Sequence, residues 1–128
     1  MTAVFFGLLI GFQLKHFVAD YLMQPAWILG GKGDVHKLGG YVHAGIHAVF
    51  SAVLLVLFST PLWLVGLLFL TEAVVHYALD YAKIHYSRGI DIERDAARYW
   101  ALHGVDQLLH QLTYVAMMYT VVRVAGLG

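Results

Sequence analysis

Phe12-Gln-Leu-Lys-His-Phe-Val-Ala-Asp-Tyr-Leu-Met-Gln24 combines two characters that rarely occur together. It lies inside an apolar segment long enough to cross a bilayer. Yet it carries Gln13, His16, Asp20 and Gln24 at intervals of three or four residues. On a helix such residues share one stripe. A polar stripe in a lipid-crossing helix is costly unless it faces partners within the protein. The rest of the chain is therefore expected to offer matching stripes.

Composition supports a membrane setting. Of 128 residues, 60% are hydrophobic and 12% charged, against about a quarter charged in a soluble domain. The length suits a single transmembrane domain, 1–128, with the lipid bilayer as its first partner. Formal net charge is zero, so no basic face is offered to nucleic acid. There is no cysteine, which excludes disulfides and thiolate metal sites. Eight histidines are many for so apolar a chain. Met1-Thr-Ala-Val lacks the basic start of a cleavable signal.

Four segments are expected to span, at about 3–24, 36–59, 61–87 and 92–125. The fold class is all-α, an integral membrane four-helix bundle. Pro25 ends the first segment, and Trp27 suits an interface. The loop Gly30-Gly-Lys-Gly-Asp-Val-His-Lys37 has no GxxxxGK[ST] pattern and is no phosphate loop. Thr60 is expected to cap the third segment, with Pro61 at its first position. Gly89 is expected to close that helix and Asp91 to open the next. Lys32, Lys37, Arg88, Arg94 and Arg98 cluster in loops 25–35 and 88–98 or at their edges, whereas the other side has Arg123 alone. The positive-inside rule puts those loops in the cytoplasm and both termini outside, in a bacterial inner membrane.

Each segment contributes one i, i+4 pair: His16/Asp20, His43/His47, His76/Asp80 and Asp106/His110. All fall in the cytoplasmic halves, which the positive-inside rule does not require. His16, His47, His76 and His110 form a deeper layer. Asp20, His43, Asp80 and Asp106 lie about one turn, or roughly 5 Å, nearer the loops. His16-x-x-x-Asp20-Tyr21 parallels His76-x-x-x-Asp80-Tyr81, and Val42-His43-x-x-x-His47 parallels Val105-Asp106-x-x-x-His110. The pattern reads as two duplicated helical hairpins.

Imidazole and carboxylate ligands on facing helices suit one or two divalent transition-metal ions, zinc first, with iron or manganese as options. Three aspartates, two divalent ions and a bridging hydroxide sum to zero charge, as a low-dielectric interior favours. Glu72 and Lys15 lie at similar depth, as a charge pair or with Glu72 as a ninth ligand or general base and Lys15 reaching to an interface. Gln13, Gln24, Gln107 and Gln111 are read as hydrogen-bonding supports around the ligands. Gly7, Gly11, Gly45, Gly66 and Gly104 are read as sites of close helix packing.

The patterns HFVADYLMQ, HAGIH, HYALDYAK and DQLLHQ resemble a domain-of-unknown-function family, number 3307, of small bacterial and phage membrane proteins. The resemblance spans nearly all four segments. It implies a multi-pass inner-membrane protein and no particular activity. The ligand style is more distantly similar to small inner-membrane metal-dependent hydrolases. The first expectation is thus a membrane-embedded, metal-dependent hydrolase acting on an amphipathic, lipid-like substrate with a phosphate or acyl group. A divalent-metal transporter or channel is the alternative and would call for a homo-oligomer. A b-type haem protein is a further alternative, disfavoured because haem needs only two axial ligands.

Overall fold

A computed structural model describes residues 2–126. Helix α1 (Thr2–Phe17) runs into a π-helical turn (Val18–Leu22). A short α2 (Ala26–Leu29) follows Pro25, and then come three long helices: α3 (Leu38–Leu57), α4 (Leu62–Ser87) and α5 (Ala96–Ala125). Among the described residues there is no strand. Helix α3 packs on α4, α4 on α5, and α1 touches both α3 and α5.

Three helices are long and apolar enough to cross a membrane: Thr2–Leu22, Leu38–Leu57 and Leu62–Ser87. This suggests a membrane protein. The fourth expected span, 92–125, is not among them. Helix α5 has the length, but Arg98, Asp106, Gln107, His110, Gln111 and Arg123 dilute its apolar character. Large apolar side chains such as Leu57, Leu62, Trp63, Leu70 and Val74 point outward and are more than three-fifths exposed. An outer surface of this kind suits lipid better than water.

Two helix boundaries differ from expectation. Helix α5 begins at Ala96, not near residue 92. Asp95 is its cap, accepting from the Arg98 N–H at 3.4 Å. Asp91 instead closes a turn by accepting from the Glu93 N–H at 2.9 Å. Thr60 does not cap α4, which has no side-chain cap at this end. It helps to close α3: the Ser59 and Thr60 N–H groups donate to the carbonyls of Val56 and Leu55 at 2.9 and 3.0 Å. This is the Schellman pattern, with Ser59 at φ 59° where glycine is usual. Gly89 follows the end of α4 at φ 77°, as the sequence suggests.

Inside, the molecule divides into two zones. Leu8, Phe12, Leu55, Leu64, Val65, Leu68, Tyr114, Met117, Met118 and Val121 form an apolar core at one end. The polar residues collect at the other end, near the loops that follow α1 and α4. The glycine-rich loop is folded tightly onto α3. A Cβ on Gly39 would lie 2.7 Å from the Ile28 carbonyl oxygen, and one on Gly31 would lie 2.8 Å from the Gly39 Cα. This backbone contact holds the buried Lys32 over the polar end. By contrast, Gly45, Gly66 and Gly104 face open space and pack against nothing. Their expected role in close packing falls instead to Gly7 and Gly11, against Phe58 and Leu54, and to the loop pair.

Candidate metal centre

The inward face of α1 comprises Leu8, Phe12, Lys15 and His16, and Ala19 continues it into the π-helical turn. Asp20 lies in that turn, one of the irregularities that recur at functional sites. The wider turn aims Asp20 between helices. Its Oδ1 is 3.1 Å from His43 Nε2 and 3.0 Å from His47 Nε2, and its Oδ2 is 3.1 Å from His16 Nε2. Asp80, on α4, is the second centre. Its Oδ2 lies 3.5 Å from His43 Nε2 and 3.6 Å from His76 Nε2, and its Oδ1 lies 3.7 Å from His110 Nε2.

The four deeper imidazoles form a closed circuit. Ring centroids are 5.5 Å apart for His16–His47, 3.9 Å for His47–His76, 4.3 Å for His76–His110 and 5.8 Å for His110–His16. His43 lies beside it, 4.7 Å from His47 and 5.0 Å from His76. Two groups have ligand atoms mutually close enough to share an ion: Asp20, His43, His47 and His76, and His76, Asp80 and His110. Six of the eight expected ligands are in these groups, and His76 belongs to both.

Several of these atoms have no hydrogen-bond partner. His43 Nε2, His76 Nε2 and His110 Nε2 are buried and make no well-aligned hydrogen bond among the described residues, and Asp80 Oδ2, which faces two of them, is held only by its ion pair with Lys32. Buried polar atoms are normally paired, and leaving one unpaired costs about 1–3 kcal/mol. Here the atoms converge on one another at contact distances with poor angles for hydrogen bonding. Lone pairs aimed at a common space from imidazole and carboxylate groups suit a cation.

The other two expected ligands support the site from beside it. His16 binds the Tyr114 hydroxyl through Nδ1 and Gln107 Oε1 through Nε2, both at 2.9 Å. Asp106 Oδ2 pairs with Lys83 Nζ at 3.1 Å. The Asp106 backbone carbonyl accepts the Nδ1–H of His110 at 2.8 Å. That bond fixes the His110 tautomer and leaves Nε2 with its lone pair free. Of the four glutamines, Gln107 and Gln24 meet the cluster. Gln24 Nε2 donates to Asp20 Oδ1 at 3.2 Å. Gln111 is half-buried with Oε1 unpartnered among the described residues. Gln13 is a correction: it is exposed on the outside of α1 and supports none of the cluster. Three residues before His16 is about 300° around the helix, and that offset turns it away from the interior.

Lys15 and Glu72 are paired, and both are buried. Lys15 Nζ also donates to the His47 carbonyl at 3.2 Å and lies 4.3 Å from the centre of the Tyr114 ring. The nearest charge to Glu72 is thus the Lys15 ammonium.

Sequence reasoning missed three residues. Tyr114 links two histidines, at 2.9 Å from His16 Nδ1 and 3.3 Å from His47 Nδ1. Lys32 Nζ lies 2.9 Å from Asp80 Oδ2. His103 Nδ1 lies 3.2 Å from Lys83 Nζ. Lys32, Lys83, His103, Asp20, Asp80 and Asp106 all line a cavity of about 480 Å³ at the loop end. A path thus leads from the loop face to both carboxylate centres.

Neither curated proteins nor solved structures gave a match to this chain. Residues 7–126 match a family described as "Protein of unknown function (DUF3307)", and the chain, matched over nearly its whole length, belongs to that family.

Proposed function

We propose that the chain is a membrane-embedded, metal-dependent hydrolase that acts from the cytoplasmic side on an amphipathic, lipid-like substrate. The observation that carries this reading is the convergence of the buried His43, His76 and His110 Nε2 atoms, none with a well-aligned hydrogen bond among the described residues, on the Asp20 and Asp80 carboxylates. In this reading α5 is the fourth span of a four-helix bundle in the inner membrane, and both termini lie outside. The bundle is a duplicated hairpin. Each half supplies two histidines and one aspartate: Asp20, His43 and His47 from the first, His76, Asp80 and His110 from the second. A two-histidine, one-carboxylate set leaves positions open for water and substrate. A divalent ion held there would lower the pKa of water toward neutrality and would polarise a phosphoryl or acyl oxygen.

The charges favour one ion over two. Lys15, Lys32 and Lys83 answer Glu72, Asp80 and Asp106. Asp20 then remains as one net negative charge if the histidines are neutral. A single divalent ion with one hydroxide brings this group to zero, as a poorly solvated interior favours. Zinc suits the ligand set best, with iron and manganese as the other choices.

Transport is less well supported, because among the described residues Leu8, Phe12, Leu55, Leu64 and Val121 pack the far end with apolar side chains. Haem is also poorly served: the imidazoles lie 3.9–5.8 Å apart and leave no slot for a flat macrocycle.

The test is turnover in nanodiscs. Phosphatidate and an acyl ester lipid are supplied in turn, and release of phosphate or fatty acid is followed. Activity is expected to vanish with a chelator and return with zinc or manganese. Asp80→Asn should reduce it by about a hundredfold or more. Metal-loaded protein that hydrolyses neither lipid but passes zinc into proteoliposomes would select transport instead. Tyr114→Phe supplies a second check. Without the hydroxyl His16 and His47 are no longer held in orientation, so metal affinity should fall about tenfold, measured by competition with a chromogenic chelator.

A further inference from the structure

The polar cavity does not end at its charged residues. Lys83 and Asp106 line it, and they also line an apolar crevice between α4 and α5 of about 320 Å³, with Leu79, Ala82, Leu102 and Leu109. Leu79 and Leu109 in turn line the next hollow along the same helix pair, of about 420 Å³. That hollow continues past Val75, Leu112 and Ala116 to Leu68 and Thr120. The three spaces lie end to end from the loop face deep along the outside of the α4/α5 seam, each sharing lining residues with the next. From Lys83 to Leu68 they follow α4 for about 22 Å at 1.5 Å per residue. One leaflet is about half of a roughly 30 Å hydrocarbon core, so the run is longer than a leaflet is thick.

Its chemistry is apolar throughout its lower part. The only hydroxyls there belong to Thr71, Thr113 and Thr120. Each donates to the carbonyl four residues earlier, at 2.9, 2.9 and 2.8 Å. Their hydrogen-bonding capacity is turned back into the helix, and the crevice needs nothing polar from its occupant. At the upper end Lys83 Nζ lies 3.1 Å from Asp106 Oδ2 and 3.2 Å from His103 Nδ1. A cation thus stands where the apolar run meets the polar cavity.

We propose that the α4/α5 crevice holds the hydrocarbon chain of an anionic, single-phosphate amphiphile whose head group lies in the polar cavity beside Lys83. Lys83 and Asp106 line both the polar cavity and the apolar crevice, and this shared junction argues for one occupant with a charged head and a long tail. The proposal deepens the hydrolase reading and rests on it in one respect. An ion on the aspartates removes the net negative charge of a lining that holds three aspartates and two lysines, so an anionic phosphate is no longer repelled and can meet Lys83. Lys83 then exchanges Asp106 for the head group, and the ligand reaches the site sideways from the leaflet.

The probe is tetradecyl phosphate carrying a diazirine at the chain end, in phosphatidylcholine nanodiscs with the full chain. Photolabelled residues are mapped by mass spectrometry, and metal content is measured on the same samples. Labels are expected on Leu68–Thr71 and Ala116, and not on Phe5 and Leu9, which line a comparable hollow between α1 and α5. Ala116→Trp fills the crevice and should cut labelling about tenfold, whereas Val115→Trp, which faces the other hollow, should not. Lys83→Gln should cut labelling by the phosphate probe about tenfold and leave labelling by the matching tetradecanol probe unchanged. Equal labelling of both hollows, indifference to Ala116→Trp, or indifference to the head group would overturn the proposal. If that happens in metal-loaded protein, the groove alone fails. If protein that holds no metal and takes up none on titration with zinc is labelled at α4/α5, the groove stands and the metal reading fails.

Discussion

Glu72→Leu is expected to destabilise the protein by about 3–5 kcal/mol, because it strands the Lys15 ammonium in a buried site. Both partners are almost fully shielded. Its remaining contacts, the His47 carbonyl and the Tyr114 ring, are neutral. Lys15→Met should cost a similar amount by stranding Glu72. Its Oε2 already lacks a hydrogen-bond partner among the described residues. Replacing both at once removes two desolvated charges together, so Lys15→Met/Glu72→Leu should recover most of the loss. Unfolding in mixed micelles, followed by tryptophan fluorescence, gives all four corners of this cycle. If instead Glu72 is a catalytic base, the double variant will be stable and inactive. If the pair is structural, the double variant will retain metal and turnover.

The second large effect concerns His76. It is the one residue common to both ligand groups, and its Nε2 is buried without a partner. A structural zinc site supplies about 10–16 kcal/mol over its ligands, or about 3 kcal/mol each. His76→Ala should therefore weaken metal binding by about a hundredfold or more. His16→Ala removes a residue bonded to Tyr114 and Gln107 and should cost only about tenfold. This ordering distinguishes the two histidines, which occupy matching places in the two halves of the sequence. Equal losses for His16→Ala and His76→Ala would mean that the cluster binds as the symmetric pattern suggests, not as its side chains are arranged.

Much of this site could be read from spacing alone. Helical periodicity brings His43 with His47, His76 with Asp80 and Asp106 with His110, and the short turn at Ser59-Thr60-Pro61 makes α3 and α4 neighbours. What periodicity missed has identifiable causes. The π-helical turn at Val18–Leu22 changes the direction of Asp20, and no residue in that stretch marks it. Lys32 reaches Asp80 from a glycine-rich loop whose path depends on a backbone contact between Gly31 and Gly39, and loops carry no period. Tyr114 and His103 did have a signal. Tyr114 continues the Asp106–His110 stripe one turn further, and His103 lies three residues before Asp106. An aromatic ring there looks like core packing, and Tyr114 is in the core as well as at the site. Gln13 shows the opposite error: membership of a stripe at i−3 does not ensure an inward side chain when Phe12 already fills that face.

Whether these imidazoles and carboxylates hold a divalent ion is decided by elemental analysis of the purified protein in nanodiscs, without added metal and after titration with zinc. About one transition-metal ion per folded chain is expected, from the charge balance at the site, and it should be lost in His76→Ala. Folded, monodisperse protein that contains no stoichiometric metal and takes up none on titration would contradict the account.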